Sequence, residues 1–204
     1  MEFYHEIITQ KSYIYLQELR KKYNFVLIGG WAVFLHTRAL KSKDIDIIVD
    51  YPVLAAMKES FDVAKNERLR KYEIKTGEFD VDIYLDNYSD LGLNIAAIAA
   101  NTVSREGFIV PGPEILLLLK LHAWQNRRGS AKGQKDELDI FSLAFLPQFD
   151  WENYKRLAAE FSLKESNLNF IELLKKTKSV KELAISDHKM AKIKKEIIAK
   201  LLHK

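Results

Sequence analysis

Asp44 and Asp46 stand in KDIDIIV, a stretch whose other residues read as a buried strand. Side chains alternate along a strand, so Asp44, Asp46, Ile48 and Asp50 share one face and Ile45, Ile47 and Val49 the other. Two carboxylates one repeat apart lie roughly 7 Å from each other, close enough for both to reach one hard cation. FDVDIYL repeats the pattern, with Asp80, Asp82 and Tyr84 opposing Phe79, Val81, Ile83 and Leu85. Clustered carboxylates repel, and their charged forms survive only where a cation or hydrogen-bond donors balance them. Mg²⁺, or Mn²⁺ in its place, suits such a site, since magnesium prefers oxygen ligands and commonly uses one or two carboxylates plus substrate phosphates. The other reading of the same aspartates is an exposed sheet edge facing water.

Upstream, Gly29 and Gly30 end the β-prone run NFVLI. A strand that closes on two glycines and opens a helix gathers bare backbone N–H groups and the positive end of the helix dipole, an arrangement suited to phosphate. A phosphate cradle beside a metal-binding carboxylate pair implies nucleotidyl or phosphoryl transfer.

These residues need elements to hold them. Apolar spacing predicts a helix over residues 2–22, a strand over 24–28, a helix over 31–40, a strand over 44–49 and a helix over 52–64 with Pro52 in its first turn. RKYEIKTGEFDVDIYL alternates on either side of Gly77 and Glu78, which predicts a hairpin of strands near 69–75 and 79–85. A helix near 90–101 and a short strand GFIV lead to PGPE, and everything beyond Pro113 looks helical. The expected organisation is a mixed α/β core over 1–110 and a helical region over 111–204.

With 204 residues and 48% hydrophobic content, the chain can bury a substantial core. It contains no cysteine, which excludes disulfides, thiolate metal sites and a cysteine nucleophile and fits a reducing compartment. No segment reads as a secretory signal or a bilayer span, so the expectation is a cytoplasmic protein without membrane contact. The net charge of +4 is unevenly spread: from Trp151 onward 13 Lys and Arg face 7 Asp and Glu, against 19 and 21 before it. Such a basic excess attracts polyanions or simply solvates a helical surface. DHKMAKIKKEIIAKLLHK carries Met190, Ile193, Ile197 and Leu201 on one face with lysines around it, a packed amphipathic helix or a basic surface for RNA or a partner.

LIGGWAVFLHTRALKSKDIDIIV resembles the signature of the DNA polymerase beta-like nucleotidyltransferase superfamily: a strand, G-[GS], a helix, then D-x-[DE] on the next strand. Ser42, two residues before the first aspartate, makes the spacing most similar to the AbiEii-type enzymes of toxin-antitoxin and abortive-infection systems. VDIYL resembles the context of the family's third carboxylate, which points to Asp82, although Asp80 has the same strand parity. PGPEILLLLKLHAWQNRRGSAKGQKDELDI is similar to a second family block, with Lys120, Ala123, Arg127, Lys135, Asp136 and Asp139 at its motif positions. The resemblance covers roughly residues 25–140 and departs at Trp31, where a small residue is often found.

What the resemblance implies is an α+β fold: a nucleotidyltransferase-type mixed β-sheet flanked by helices, followed by a C-terminal helical bundle that completes the substrate cleft. It implies Mg²⁺ or Mn²⁺ held by Asp44, Asp46 and Asp82, and a nucleoside triphosphate as substrate. Gly29, Gly30 and Ser42 would bind its phosphates, Lys120 the leaving pyrophosphate with Arg127 or Arg128 and Lys135 in support, and Asp136 would orient a cation or the acceptor. The acceptor class stays open among tRNA or other RNA, protein and small molecules, and a cognate antitoxin is an implied partner. Read without the family, Lys120 in an almost wholly apolar helix either snorkels to solvent or points into a polar cleft, and Asp136 and Asp139 complement a helix dipole. A second function class also fits: a non-catalytic module of the same fold that binds RNA or a partner. The acidic cluster argues against it, because a site that turns nothing over has no need of so costly a charge arrangement.

Overall fold

A computed structural model describes residues 2–202. Among these the chain divides into an α/β unit ending at Gly112 and a helical unit beginning at Pro113. No described helix is long and apolar enough to cross a membrane. The architecture is α+β, as the sequence led us to expect.

The first unit runs α1 (Glu2–Lys22), β1 (Val26–Ile28), α2 (Gly29–Thr37), β2 (Ile45–Ile48), α3 (Tyr51–Ser60), β3 (Val63–Asn66), β4 (Lys71–Lys75), β5 (Asp80–Tyr84), α4 (Ile95–Ala100), β6 (Thr102–Arg105) and β7 (Phe108–Pro111). The described strands form one sheet of seven in the order β3-β4-β5-β2-β1-β7-β6. The β2–β5 and β1–β7 pairs are parallel and the others antiparallel. Leu27, Ile45, Ile47, Val81 and Ile83 are fully buried along its centre, each contributing about 1.5–3 kcal/mol by leaving water. The apolar parity read from KDIDIIV and FDVDIYL is thus the core parity. Asp50 shares the aspartate parity but caps α3, its side chain accepting from the Val53 N–H at 2.8 Å.

The structure differs from the sequence expectation at both sheet edges. The helix expected to reach residue 64 stops at Ser60 and gives way to β3, and β6 lies just after the end of the helix predicted over 90–101. Both are edge strands whose residues are half-buried or exposed and carry charges such as Lys65 and Arg105. Such polar edges protect a sheet from pairing with other chains, and they erase the apolar alternation by which a strand is recognised. The β6–β7 turn is Glu106-Gly107, both at positive φ, the geometry of a tight hairpin.

The helical unit comprises α5 (Pro113–Asn126), α6 (Ala131–Ala144), α7 (Trp151–Glu160), α8 (Lys164–Lys176), a 3₁₀ turn at Lys181–Leu183 and α9 (Asp187–Leu202). Helix α5 is buried on most sides, from Glu114 through Leu121. Phe149, Trp151, Tyr154 and Phe170 form an aromatic cluster with neighbouring ring centroids 4.5–6.2 Å apart. Helix α9 buries Met190 and Ile197 and leaves Lys189, Lys192, Lys195 and Lys200 exposed.

Candidate active site

Strand register draws the acidic side chains into a line. Ile28 pairs with Asp46, Asp46 with Asp82, and Asp82 with Glu73. One row therefore crosses β1, β2, β5 and β4, with neighbouring strands about 4.8 Å apart. Asp82, not Asp80, stands opposite Asp46. Asp80 instead donates its backbone N–H to Asp44 Oδ1 at 3.2 Å and pairs its carboxylate with Lys75 Nζ at 2.8 Å.

Gly29, the residue after Ile28, sits against this row. Its φ of +68° belongs to the left-handed region, and a Cβ built there would lie 2.1 Å from Asp46 Oδ2. Only glycine satisfies both the backbone conformation and the space. The Asp46 carboxylate thus lies beside the first residue of α2, whose N-cap, Ile28, supplies no side-chain acceptor. The backbone N–H groups at this helix start and the positive end of its dipole bear on the same point as the carboxylate. Tyr84 donates its hydroxyl to Asp46 Oδ1 at 3.2 Å.

Asp82 is the strained member of the row. Burial raises its carboxyl from the ordinary 3.8 to about 6, and the adjacent Asp46 charge adds to the shift against the opposing pull of Lys71. Lys71 Nζ reaches Asp82 Oδ2 at 2.6 Å and Glu73 Oε1 at 2.9 Å. Burial works against the Lys71 charge, but these two carboxylates outweigh it and hold the ammonium above its ordinary value. Burial likewise works against the Glu73 charge, yet Lys71, Asn66 and Lys75 bring that carboxyl down to about 2. Asp82 Oδ1 is buried with no hydrogen-bond partner among the described residues. Lys71 and Glu73 were not singled out in the sequence. The signal was present, because the hairpin centred on Gly77 and Glu78 fixes Glu73 opposite Asp82.

The donor chemistry suits a hard cation: two carboxylates opposite each other on adjacent strands, one with an unsatisfied oxygen, beside a glycine cradle that a Cβ would fill. Among the described residues no group of three His, Asp or Glu side chains is arranged to hold a metal ion. Magnesium commonly completes its octahedron with waters and substrate phosphates, so a two-carboxylate grip is compatible with it.

Ser42 is buried in the segment before β2. Trp31, where the sequence departs from the resembling signature, is buried with its Nε1–H donating to Ser12 Oγ at 3.0 Å and its ring 5.0 Å from that of Tyr13. Its bulk packs onto α1.

The remaining predicted residues belong to the helical unit. Lys120 neither snorkels nor stands alone: it is buried, with Nζ 3.2 Å from Asp136 Oδ1 and 2.7 Å from Asp139 Oδ2. Arg127 donates from Nε to Asp136 Oδ2 at 2.5 Å and from Nη2 to Oδ1 at 3.1 Å. Asp139 meets Lys120 without hydrogen-bond geometry at either oxygen. The two aspartates lie beyond the first turn of α6, which holds no acidic residue, so complementing the helix dipole does not account for them. Lys135 precedes Asp136 and is half-buried.

With this geometry in hand, likeness to solved structures is informative. JHP933 from Helicobacter pylori superposes with a TM-score of 0.54 at 14% identity, over 95% of this chain and 93% of that one. A candidate nucleotidyltransferase from H. pylori gives 0.53 at 15% identity, over 97% and 94%. The fold is nucleotidyltransferase-like. At these identities the likeness speaks for the fold. No protein-family model matches the sequence, and no curated protein does.

Proposed function

We propose that this protein is a magnesium-dependent nucleotidyltransferase that moves a nucleoside monophosphate from a nucleoside triphosphate to an acceptor hydroxyl. The observation that carries the reading is the close approach of Asp46 to Gly29 at the start of α2, with Asp82 opposite Asp46 on the neighbouring strand. A phosphate at the helix start and a cation on the carboxylates would occupy adjoining positions.

In this reading Gly29 and Gly30 present backbone N–H groups to the triphosphate, with Ser42 in support. Asp46 and Asp82 would hold the cation, and Asp44, just before β2 and of the same strand parity, would add negative charge beside them. When bound, the cation neutralises charge developing on the phosphate oxygens. The acceptor oxygen forms a bond to the α-phosphorus as the bond to pyrophosphate breaks, and the acceptor's proton passes to a base. Asp82 suits that role by position, opposite Asp46 in the strand register and with Oδ1 lacking a hydrogen-bond partner among the described residues. The fine assignment to the AbiEii-type toxins, and an acceptor such as tRNA, rest on the sequence resemblance alone.

The test is label transfer. Each α-labelled nucleoside triphosphate is incubated with the protein, Mg²⁺, and either total RNA or cell extract. Transfer that needs Mg²⁺ and disappears in Asp44→Asn and Asp46→Asn supports the enzyme. Salt-sensitive RNA binding unaffected by these substitutions, with no transfer, supports a non-catalytic module instead.

A further inference from the structure

The proposed chemistry gives Lys71, the lysine inside the acidic row, no role. Lys71 lies on β4, its side chain 11% exposed, wedged between Asp82 and Glu73 at 14% and 10%. A buried lysine is costly unless paired, and this one reaches into the acidic row instead of extending to water.

Its two partners differ. Glu73 is well served without it: Oε1 accepts from Asn66 Nδ2 at 3.0 Å, and Oε2 lies 3.2 Å from Lys75 Nζ. Asp82 is not, having an unpartnered Oδ1 and the Asp46 carboxylate as its neighbour across β2. Two facing carboxylates without a metal ion need a positive charge, and Lys71 is the cation that touches one of them. Its ammonium is a point charge on a flexible stem, able to exchange partners, where an arginine would lock into one bidentate geometry.

We propose that Lys71 is the resident counter-ion of the Asp46–Asp82 pair, releasing Asp82 Oδ2 to an incoming divalent cation while remaining on Glu73. This rests on reading the pair as a metal site. Glu73, opposite Asp82 on the next strand, makes the exchange feasible, because one of two ion pairs breaks and the ammonium is never left buried alone. Lys71 is then a positioning residue that sets metal affinity without touching substrate. Its presence keeps the acidic row intact when no metal is bound, at the expense of affinity when one arrives.

The experiment measures Mn²⁺ binding to the full chain from the electron paramagnetic resonance of free Mn²⁺, alongside thermal unfolding with and without the ion. Lys71→Met is expected to lower the midpoint of the metal-free protein, bind Mn²⁺ about ten-fold tighter than wild type, and gain more stability from it, since the ion no longer displaces a charge-assisted hydrogen bond. Glu73→Gln is expected to bind about five-fold weaker, because Lys71 then has Asp82 as its remaining carboxylate. Lys75→Met, which removes an exposed cation paired to Glu73 and Asp80, should change affinity by less than about two-fold. Wild type that binds Mn²⁺ while Lys71→Met binds no tighter overturns the inference and leaves the metal site standing. A Lys75→Met effect as large as that of Lys71→Met also overturns it, by showing a long-range charge effect. Failure of both wild type and Lys71→Met to bind Mn²⁺ removes the metal site and the inference together. If Lys71→Met does not fold, Lys71→Gln takes its place: tighter binding than wild type supports the exchange, and unchanged or weaker binding overturns it.

Discussion

Replacing Asp82 with asparagine removes a charge that the folded protein holds at a cost. Burial and the neighbouring Asp46 raise this carboxyl from 3.8 to about 6. As pH falls through about 6 the folded protein takes up a proton that the unfolded chain does not accept until near 3.8. The group's contribution to stability therefore rises as pH falls across that window, and the penalty is complete above it. At about 1.4 kcal/mol per pH unit, the penalty has an upper bound of about 3 kcal/mol. Asparagine keeps the shape and an oxygen for Lys71, and the charge-assisted hydrogen bond it gives up is already contained in the net shift. Asp82→Asn should thus be up to about 3 kcal/mol more stable than wild type near pH 8, with the gain shrinking to about 1 kcal/mol near pH 4.5, and should lose the proposed transfer. Urea unfolding of both proteins across this range supplies the assay, and the difference between the two curves cancels titrations they share. A variant no more stable than wild type near pH 8, or a difference that does not change with pH, would refute the reasoning.

Three further outcomes follow from the same structure. Gly29→Ala should cost about 1–3 kcal/mol in unfolding free energy for its left-handed backbone and displace Asp46; retention of wild-type stability and nucleotide binding would contradict the cradle. His36, with Nε2 2.9 Å from the Pro111 carbonyl, has its pKa lowered from 6.5 by burial, with the hydrogen bond to Pro111 opposing and the Arg105 charge assisting. The unfolded chain accepts this proton more readily, so the group's stability contribution is full above pH 6.5 and is lost as pH falls toward the folded value; an imidazole titration by nuclear magnetic resonance with a midpoint at or above 6.5 would count against it. Lys120→Ala leaves Asp139 buried without the cation it meets and Asp136 with Arg127, and should destabilise the protein by about 3–5 kcal/mol in chemical unfolding; a loss below about 1 kcal/mol would show that the network is not coupled to folding.

Much of the site was legible because period-two alternation and glycine placement are local. KDIDIIV and FDVDIYL separated core from acidic face, and the diglycine marked the start of α2. Alternation could not choose between Asp80 and Asp82, which share parity; the choice needed the parallel pairing of β2 with β5, a contact between residues 36 apart in sequence. Lys71 and Glu73 escaped notice although the hairpin register places Glu73 opposite Asp82, since a charged residue in a strand reads as solvent-facing until it is weighed together with the charges on the strand beside it. The edge strands β3 and β6 were missed because their polar composition, which guards the sheet, leaves no apolar rhythm to detect. Lys120 was conspicuous as a charge in an apolar helix, but its pairing with Asp136 and Asp139 depends on how α5 packs on α6.

The most direct test of the central claim is a crystal structure of the full chain with Mn²⁺ and a non-hydrolysable nucleoside triphosphate, using the anomalous signal of manganese. The account predicts a manganese peak bound by Asp46 and Asp82 with triphosphate oxygens at the Gly29–Gly30 end of α2. A nucleotide bound elsewhere, or manganese absent from that carboxylate pair while nucleotide is present, would contradict it.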